Sequence, residues 1–139
     1  MKVFIHCFSA TGNTARAARI VADRLAAAGR AVAFHAIDGR AAPPAEIPDL
    51  TILAFPVWSW AAPHFARAYA RRLPKANGAR AAVLATCGAF GGQAVGEMAR
   101  ALRRRGYAVV GSGEMAYPDN WVLAVNPPTG EDLDRKSVV

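Results

Sequence analysis

Between an apolar run ending at Phe8 and an amphipathic helix beginning near Asn13, the chain reads Phe8-Ser9-Ala10-Thr11-Gly12-Asn13-Thr14. Hydroxyls at Ser9, Thr11 and Thr14, with Asn13 and a glycine that lets the backbone approach closely, are the groups that hold a dianion. The first N–H groups of a helix have no acceptor inside it and carry the positive end of its dipole, so a phosphate placed there is bonded by main chain and hydroxyls together. Simple helix capping by Ser9, Thr11 and Asn13 is the competing use of the same residues. Two other phosphate chemistries fail on spacing. A nucleoside-triphosphate loop needs a Lys after its last Gly, and Asn13 follows Gly12. A Cys-x5-Arg phosphatase loop needs Arg six positions after its nucleophile. Cys7 is followed at that distance by Asn13, and Cys87 by Gln93. Both thiols therefore read as small buried residues.

The elements that must position this loop follow from hydrophobic period. Short apolar runs at Lys2–Phe8, Ala31–Ala36, Leu50–Phe55, Ala81–Thr86 and Tyr107–Gly111 predict strands. Helical spacing links Ala18, Val21, Leu25 and Ala28 in a helix over Asn13–Ala28. It also links Phe65, Ala66, Tyr69, Ala70 and Leu73 in Pro63–Leu73, and Val95, Met98, Ala99 and Leu102 in Gln93–Arg105. Gly29 and Gly106 stop helices, and Pro43, Pro44 and Pro48 argue against a helix between the second and third strands. Alternating strands and helices predict a doubly wound α/β sheet of five parallel strands, with ligands at the carboxyl ends of the strands.

Those ends carry the remaining unusual residues. Pro56-Val57-Trp58-Ser59-Trp60 places two indoles in a loop, as a flat aromatic ligand would require, although packing over the sheet edge would also use them. Thr86-Cys87-Gly88-Ala89-Phe90-Gly91 offers close backbone approach and a further ring. Glu114 to Trp121 adds an aromatic-rich segment on the same edge.

The chain has 139 residues, 53% of them hydrophobic, as expected for one domain with one core. No apolar run is long enough to cross a bilayer and no leader precedes Val3–Phe8, so the expected location is the cytoplasm. The formal charge is +7, which raises nucleic acid or a membrane surface as a partner. Arg71, Arg72, Arg103, Arg104 and Arg105 fall at predicted helix ends, where they complement the dipole, which argues against both, and no basic stripe is interleaved with aromatics. Nucleic-acid binding, membrane binding and membrane insertion are not expected. Two Cys and three His give no iron–sulfur or zinc framework.

Over about its whole length the chain resembles the flavodoxin family, whose S/T-x-T-G-N-T phosphate loop is matched by Ser9-Ala10-Thr11-Gly12-Asn13-Thr14. It is most similar to flavodoxin-like domains of anaerobic bacteria that are often fused to a bacterial-type ferredoxin. Pro56-Val57-Trp58 with Pro63, and Met115 with Pro118, Asn120 and Trp121, match their later loops. The resemblance implies strand order 2-1-3-4-5 and FMN as ligand. Its phosphate would lie on Ser9–Thr14, its ring beside Trp58 or Trp60, and its pyrimidine edge against backbone donors of Cys87–Gly91, with Thr86 among the cofactor-binding residues and Phe90 a second ring partner. It implies one-electron transfer to a redox protein such as a ferredoxin or a reductase, with an acidic partner favoured by the basic charge. An FMN-dependent NAD(P)H, quinone or protoporphyrinogen oxidoreductase, with His64 as proton donor, is the alternative, and a binding module that has lost FMN is a third. This chain departs from the family in three ways: no ferredoxin cysteine clusters, a final helix that begins near Glu131 and stops by Val139, and Ser59 where a glycine is common. Acidic residues near the ring are few, chiefly Asp119, which implies less negative potentials than in an acidic flavodoxin.

Overall fold

Each apolar run becomes a strand because the ladder satisfies its backbone while both faces of the sheet are covered by helices. In the computed structural model, which describes residues 1–117, the order is β1 Lys2–Cys7, α1 Asn13–Ala27, β2 Ala31–Ala36, β3 Leu50–Pro56, α2 His64–Arg72, β4 Arg80–Cys87, α3 Ala94–Arg104 and β5 Ala108–Ala116. The five strands are parallel in the order β2-β1-β3-β4-β5, the arrangement expected from the resemblance. Pro118, Asp119, Asn120, Trp121 and the segment Glu131 to Val139 lie outside the described residues.

Two cores result. On one face α1 lays Ala18, Val21 and Leu25 over Val3, Ile5, Ile52 and Ala54. On the other, α2 and α3 bury Tyr69, Leu73, Met98 and Leu102 against Leu53, Phe55 and Val83. Full burial of each such large side chain contributes about 1.5–3 kcal/mol. Both helices reverse at the amino edge of the sheet, and Arg105 Nε donates to the Leu73 carbonyl at 2.7 Å, tying the end of α2 to that of α3. Residues 38–49 cross from β2 to β3 without a helix, as the prolines predict.

The fifth strand is the main departure from expectation. It runs to Ala116, not Gly111, so Glu114 and Met115 belong to the sheet and not to a loop. Gly111, Ser112 and Gly113 interrupt the apolar pattern, yet their backbone still pairs with Ala82, Val83 and Leu84. A bulge precedes them. Val109 pairs with Ala81 and Gly111 with Ala82, leaving Val110 unpaired and 60% exposed.

Without a helix between β2 and β3, two histidines share one face of β1 and β2. His6 is 1% exposed, stacks on His35 with ring centroids 5.1 Å apart, and shares a 2.9 Å hydrogen bond between its Nδ1 and the Tyr69 hydroxyl. Burial, with His35 alongside, pushes the His6 imidazole down to about 4 from 6.5. The unfolded chain takes up this proton as pH falls through about 6.5, while the folded chain resists until about 4. Stability is therefore full above that window and is lost on acidification at up to about 1.4 kcal/mol per pH unit, about 3 kcal/mol in all. Urea unfolding followed from about pH 7.5 to about pH 4 should show this slope, and His6→Gln should remove most of it.

Candidate functional site

The carboxyl ends of β1, β3 and β4 bring together the three segments singled out in the sequence. Phe8 N–H donates to the Ala54 carbonyl at 3.0 Å and Val57 N–H to the Thr86 carbonyl at 2.8 Å, which fixes the loops after β1, β3 and β4 side by side. Pro56 and Cys87 are the last residues of β3 and β4, so their loops start one residue later than the apolar runs suggest.

The first segment opens α1. Gly12, at φ 97°, turns the chain into the helix, and a Cβ on it would meet nothing within 4 Å, so the loop is open to solvent on that side. Ser9 Oγ accepts from the Gly12 N–H at 3.1 Å and the Ala15 N–H at 3.2 Å. That hydroxyl acts as the internal clamp of the turn. Thr14 is 2% exposed and its hydroxyl lies 2.6 Å from that of Thr86, itself 4% exposed. If Thr86 donates, Thr14 keeps its proton for a further acceptor; if Thr14 donates, its oxygen is an acceptor only. Either way the pair joins the phosphate-loop helix to the last turn of β4. Ala10, Thr11 and Gly12 are exposed and Asn13 is half-buried. The N–H groups of Asn13 and Thr14 lie in the first turn, where the helix supplies no acceptor, and no Lys or Arg stands among residues 9–14.

The second segment forms a tight reversal. Trp58 N–H donates to the Ala61 carbonyl at 2.9 Å and Ala61 N–H to that of Trp58 at 3.0 Å, with Ser59 at φ 48° and Trp60 at φ 61° between them. Two central residues of positive φ define a type I′ turn, normally built from Asn and Gly. Ser and Trp there store strain of about 1–2 kcal/mol per residue. The two indoles part company. Trp58 packs edge-on against Phe8 at 5.4 Å and Phe65 at 5.6 Å, holding the turn to the residue before the phosphate loop. Trp60 is 66% exposed.

The third segment closes on the turn. Gln93 N–H donates to the Trp60 carbonyl at 3.0 Å, and a Cβ on Gly92, at φ 59°, would lie 2.6 Å from Trp60 Cβ and carbonyl oxygen. Glycine is required there for close approach. Between turn and loop opens a cleft of about 450 Å³, lined by Ser59, Trp60, Phe90, Gly92, Gln93 and Glu97. Phe90 is 69% exposed, so the cleft lies between two large rings with unburied faces. At its base Glu97 accepts from Ala62 N–H at 3.2 Å, with Arg67 3.8 Å away. Gly88 is half-buried and Ala89 exposed.

Both thiols are held protonated. Burial pushes Cys7 up to about 11, and burial with Glu114 nearby raises Cys87. Arg19 pulls the Cys7 thiol the other way without offsetting its burial, and Cys87 has a carboxylate beside it in place of a cation. His64 is exposed and meets Phe65 edge-on at 5.1 Å. Glu114, which opens the aromatic-rich segment read at this edge of the sheet, has a place the sequence does not give: its carboxylate lies where a Cβ on Gly91 would be. Gly111 and Gly113 before it hide that it stands on the strand. The site thus offers a cationless helix start open at Gly12, a cleft lined by Trp60 and Phe90 between the neighbouring turn and loop, and one carboxylate beside the glycine-rich loop. That set suits a flat ligand bearing a terminal phosphate. Among the described residues no cluster of His, Cys, Asp and Glu would hold a metal ion.

No protein-family model matches this sequence, and no curated protein matches it. Solved structures do. Oxidised flavodoxin 1 from Bacillus cereus superposes with TM-score 0.67 at 24% identity over 97% of this chain and 91% of that one. Oxidised flavodoxin 2 from Bacillus cereus gives 0.67 at 21% identity over 98% and 92%. Two-electron reduced Megasphaera elsdenii flavodoxin gives 0.67 at 19% identity over 82% and 85%. The fold is therefore flavodoxin-like.

The packing of the turn on the third segment carries a prediction. Gly92→Ala should force Trp60 away, lose the Gln93 to Trp60 hydrogen bond and cost about 2–3 kcal/mol in urea unfolding, with a change in tryptophan emission. Gly12→Ala meets no atom and should cost only its backbone strain, about 1–2 kcal/mol.

Proposed function

We propose that this chain binds FMN and serves as a flavodoxin-like electron carrier. The observation that carries the reading is the physical joining of a Lys-free, Arg-free helix start to two loops that flank a cleft with exposed rings at Trp60 and Phe90. The residues fit the group at both ends. A phosphomonoester matches the open cradle at Gly12, where the hydroxyl of Thr11 and the N–H groups of Asn13 and Thr14 supply donors. The cleft volume lies within the range of small-molecule sites.

Each part of the chain has a distinct task in this reading. Ser9 keeps the loop in shape, so its hydroxyl contributes through the turn. Trp60 and Phe90 exclude water from the faces of the ring, and backbone groups of Cys87, Gly88, Ala89 and Gly91 face its polar edge. Glu114 sets the local charge. When bound, FMN supplies one-electron redox chemistry, and the protein tunes it by stacking, hydrogen bonding and charge. The exposed indole and phenyl mark the edge at which a redox partner, such as a ferredoxin or a reductase, would dock, and cytoplasmic location accords with this role.

Titration of the apoprotein with FMN and with riboflavin tests the reading. Flavin absorption should be retained on purification, and FMN should quench on binding. Thr11→Ala should weaken FMN by about tenfold or more, the worth of one hydrogen bond to a charged group, and leave riboflavin nearly unchanged. Equal losses for both ligands, or no binding of either, would refute it. Glu114→Gln removes a negative charge beside the Cys87–Gly91 loop. It should make the lower reduction potential less negative by on the order of 20–50 mV in a redox titration, an effect that weakens with salt.

A further inference from the structure

Because the strands are parallel and each helix returns against them, all three helices end at the amino edge of the sheet, opposite the loops just described. The last turns carry Arg24 on α1, Arg71 and Arg72 on α2, and Arg103 and Arg104 on α3, and Arg80 opens β4 at the same edge. All six are exposed, and none pairs with a carboxylate among the described residues. The hydrogen bonds Ala76 N–H to Arg105 carbonyl at 2.9 Å and Gly78 N–H to Gly106 carbonyl at 2.7 Å bind the ends of α2 and α3 into one surface. Among the described residues, Glu46 pairs with Lys2 Nζ at 2.6 Å, Asp49 accepts from the Lys2 N–H at 2.6 Å and keeps its charge, and Asp23 lies on α1.

These arginines complement three helix dipoles, the use the sequence gives them, and α2 and α3 each bring two to the same edge of the sheet. The positions also say what kind of surface this is. α1 lies on one face of the sheet and α2 and α3 on the other, so the charges spread over the whole base of the molecule. They do not line a groove or a stripe. Met1, 41% exposed, and Ile47, 39% exposed, stand among them, and the Arg80 guanidinium reaches Met1 Sδ at 3.5 Å. A broad cationic face with exposed apolar side chains matches an anionic bilayer surface. An acidic electron-transfer partner seated here would be about 20 Å or more from the cofactor loops, the length of the strands.

We propose that this basic pole is a peripheral docking surface for anionic phospholipid, holding the molecule with its ligand loops turned toward solution. The choice of lipid over an acidic electron-transfer protein rests on the proposed function, and vesicle binding is read without flavin, so the two can fail separately. Flotation of the full chain with vesicles tests it. The protein should float with phosphatidylcholine vesicles that contain phosphatidylserine, not with phosphatidylcholine alone, and binding should collapse as salt rises. Replacing Arg71, Arg72, Arg103 and Arg104 together by Gln should weaken binding by about a hundredfold or more, and the Arg71→Gln, Arg103→Gln pair by an intermediate factor. Circular dichroism and the urea midpoint certify that each variant is folded. The control Arg16→Gln with Arg19→Gln, at the opposite end of α1, should bind as the parent does. Absence of binding to the anionic vesicles, equal loss in the control, or tighter binding to duplex DNA than to the vesicles at the same salt would each overturn the proposal.

Discussion

The hydroxyl pair of Thr14 and Thr86 is the constraint from which the site is organised. Two polar groups in a dry interior must find each other, because either alone would carry a desolvation cost of about 1–3 kcal/mol. Their meeting fixes where α1 begins relative to where β4 ends, although 72 residues separate them. The ladder then does the rest. Thr86 carbonyl receives Val57 N–H, so the same residue that anchors the helix start also sets the take-off of the β3 loop. Cradle, turn and glycine-rich loop are three consequences of one buried contact and its neighbours.

The tryptophans divide the labour that their shared chemistry suggested for either. Trp58 is structural, locked edge-to-face with Phe8 and Phe65, and Trp60 is presented outward on a strained reversal. The strain persists because Gln93 and Gly92 hold the Trp60 backbone from the other side. A residue in an unfavourable conformation that its surroundings over-determine is found most often where a ligand must be met in a set geometry.

Much of the fold was legible because its central strands β1, β3 and β4 are largely buried and so read as apolar runs, and because Gly29, Gly106 and the prolines of 38–49 punctuate the chain. The place and residue types of the cradle were legible for the same reason: Ser, Thr, Gly and Asn at a strand-to-helix junction have few uses. What each hydroxyl does was not. Ser9 clamps its own turn, the local capping use that the sequence also offers, whereas Thr14 faces Thr86 across 72 residues, a partner no local property of the sequence gives. The reversal at Ser59-Trp60 carries none of the Asn-Gly chemistry that announces such turns. The place of Glu114 on the strand beside Gly91 was not legible, because Gly111 and Gly113 make a long edge strand look like its end.

The helix-free passage from β2 to β3 has an engineering corollary. Asp38 Oδ1 closes a small turn by accepting from the Arg40 and Ala41 N–H groups at 2.9 and 2.8 Å, and Ala41, Ala42 and Ala45 beyond it are exposed. This is an exposed stretch joined to an edge strand and lying in sequence between the cradle and the turn, where a grafted reporter domain would disturb little buried structure. An insertion there lengthens the link between two parts of the site whose assembly rests on the ladder and the Thr14–Thr86 contact, not on that link.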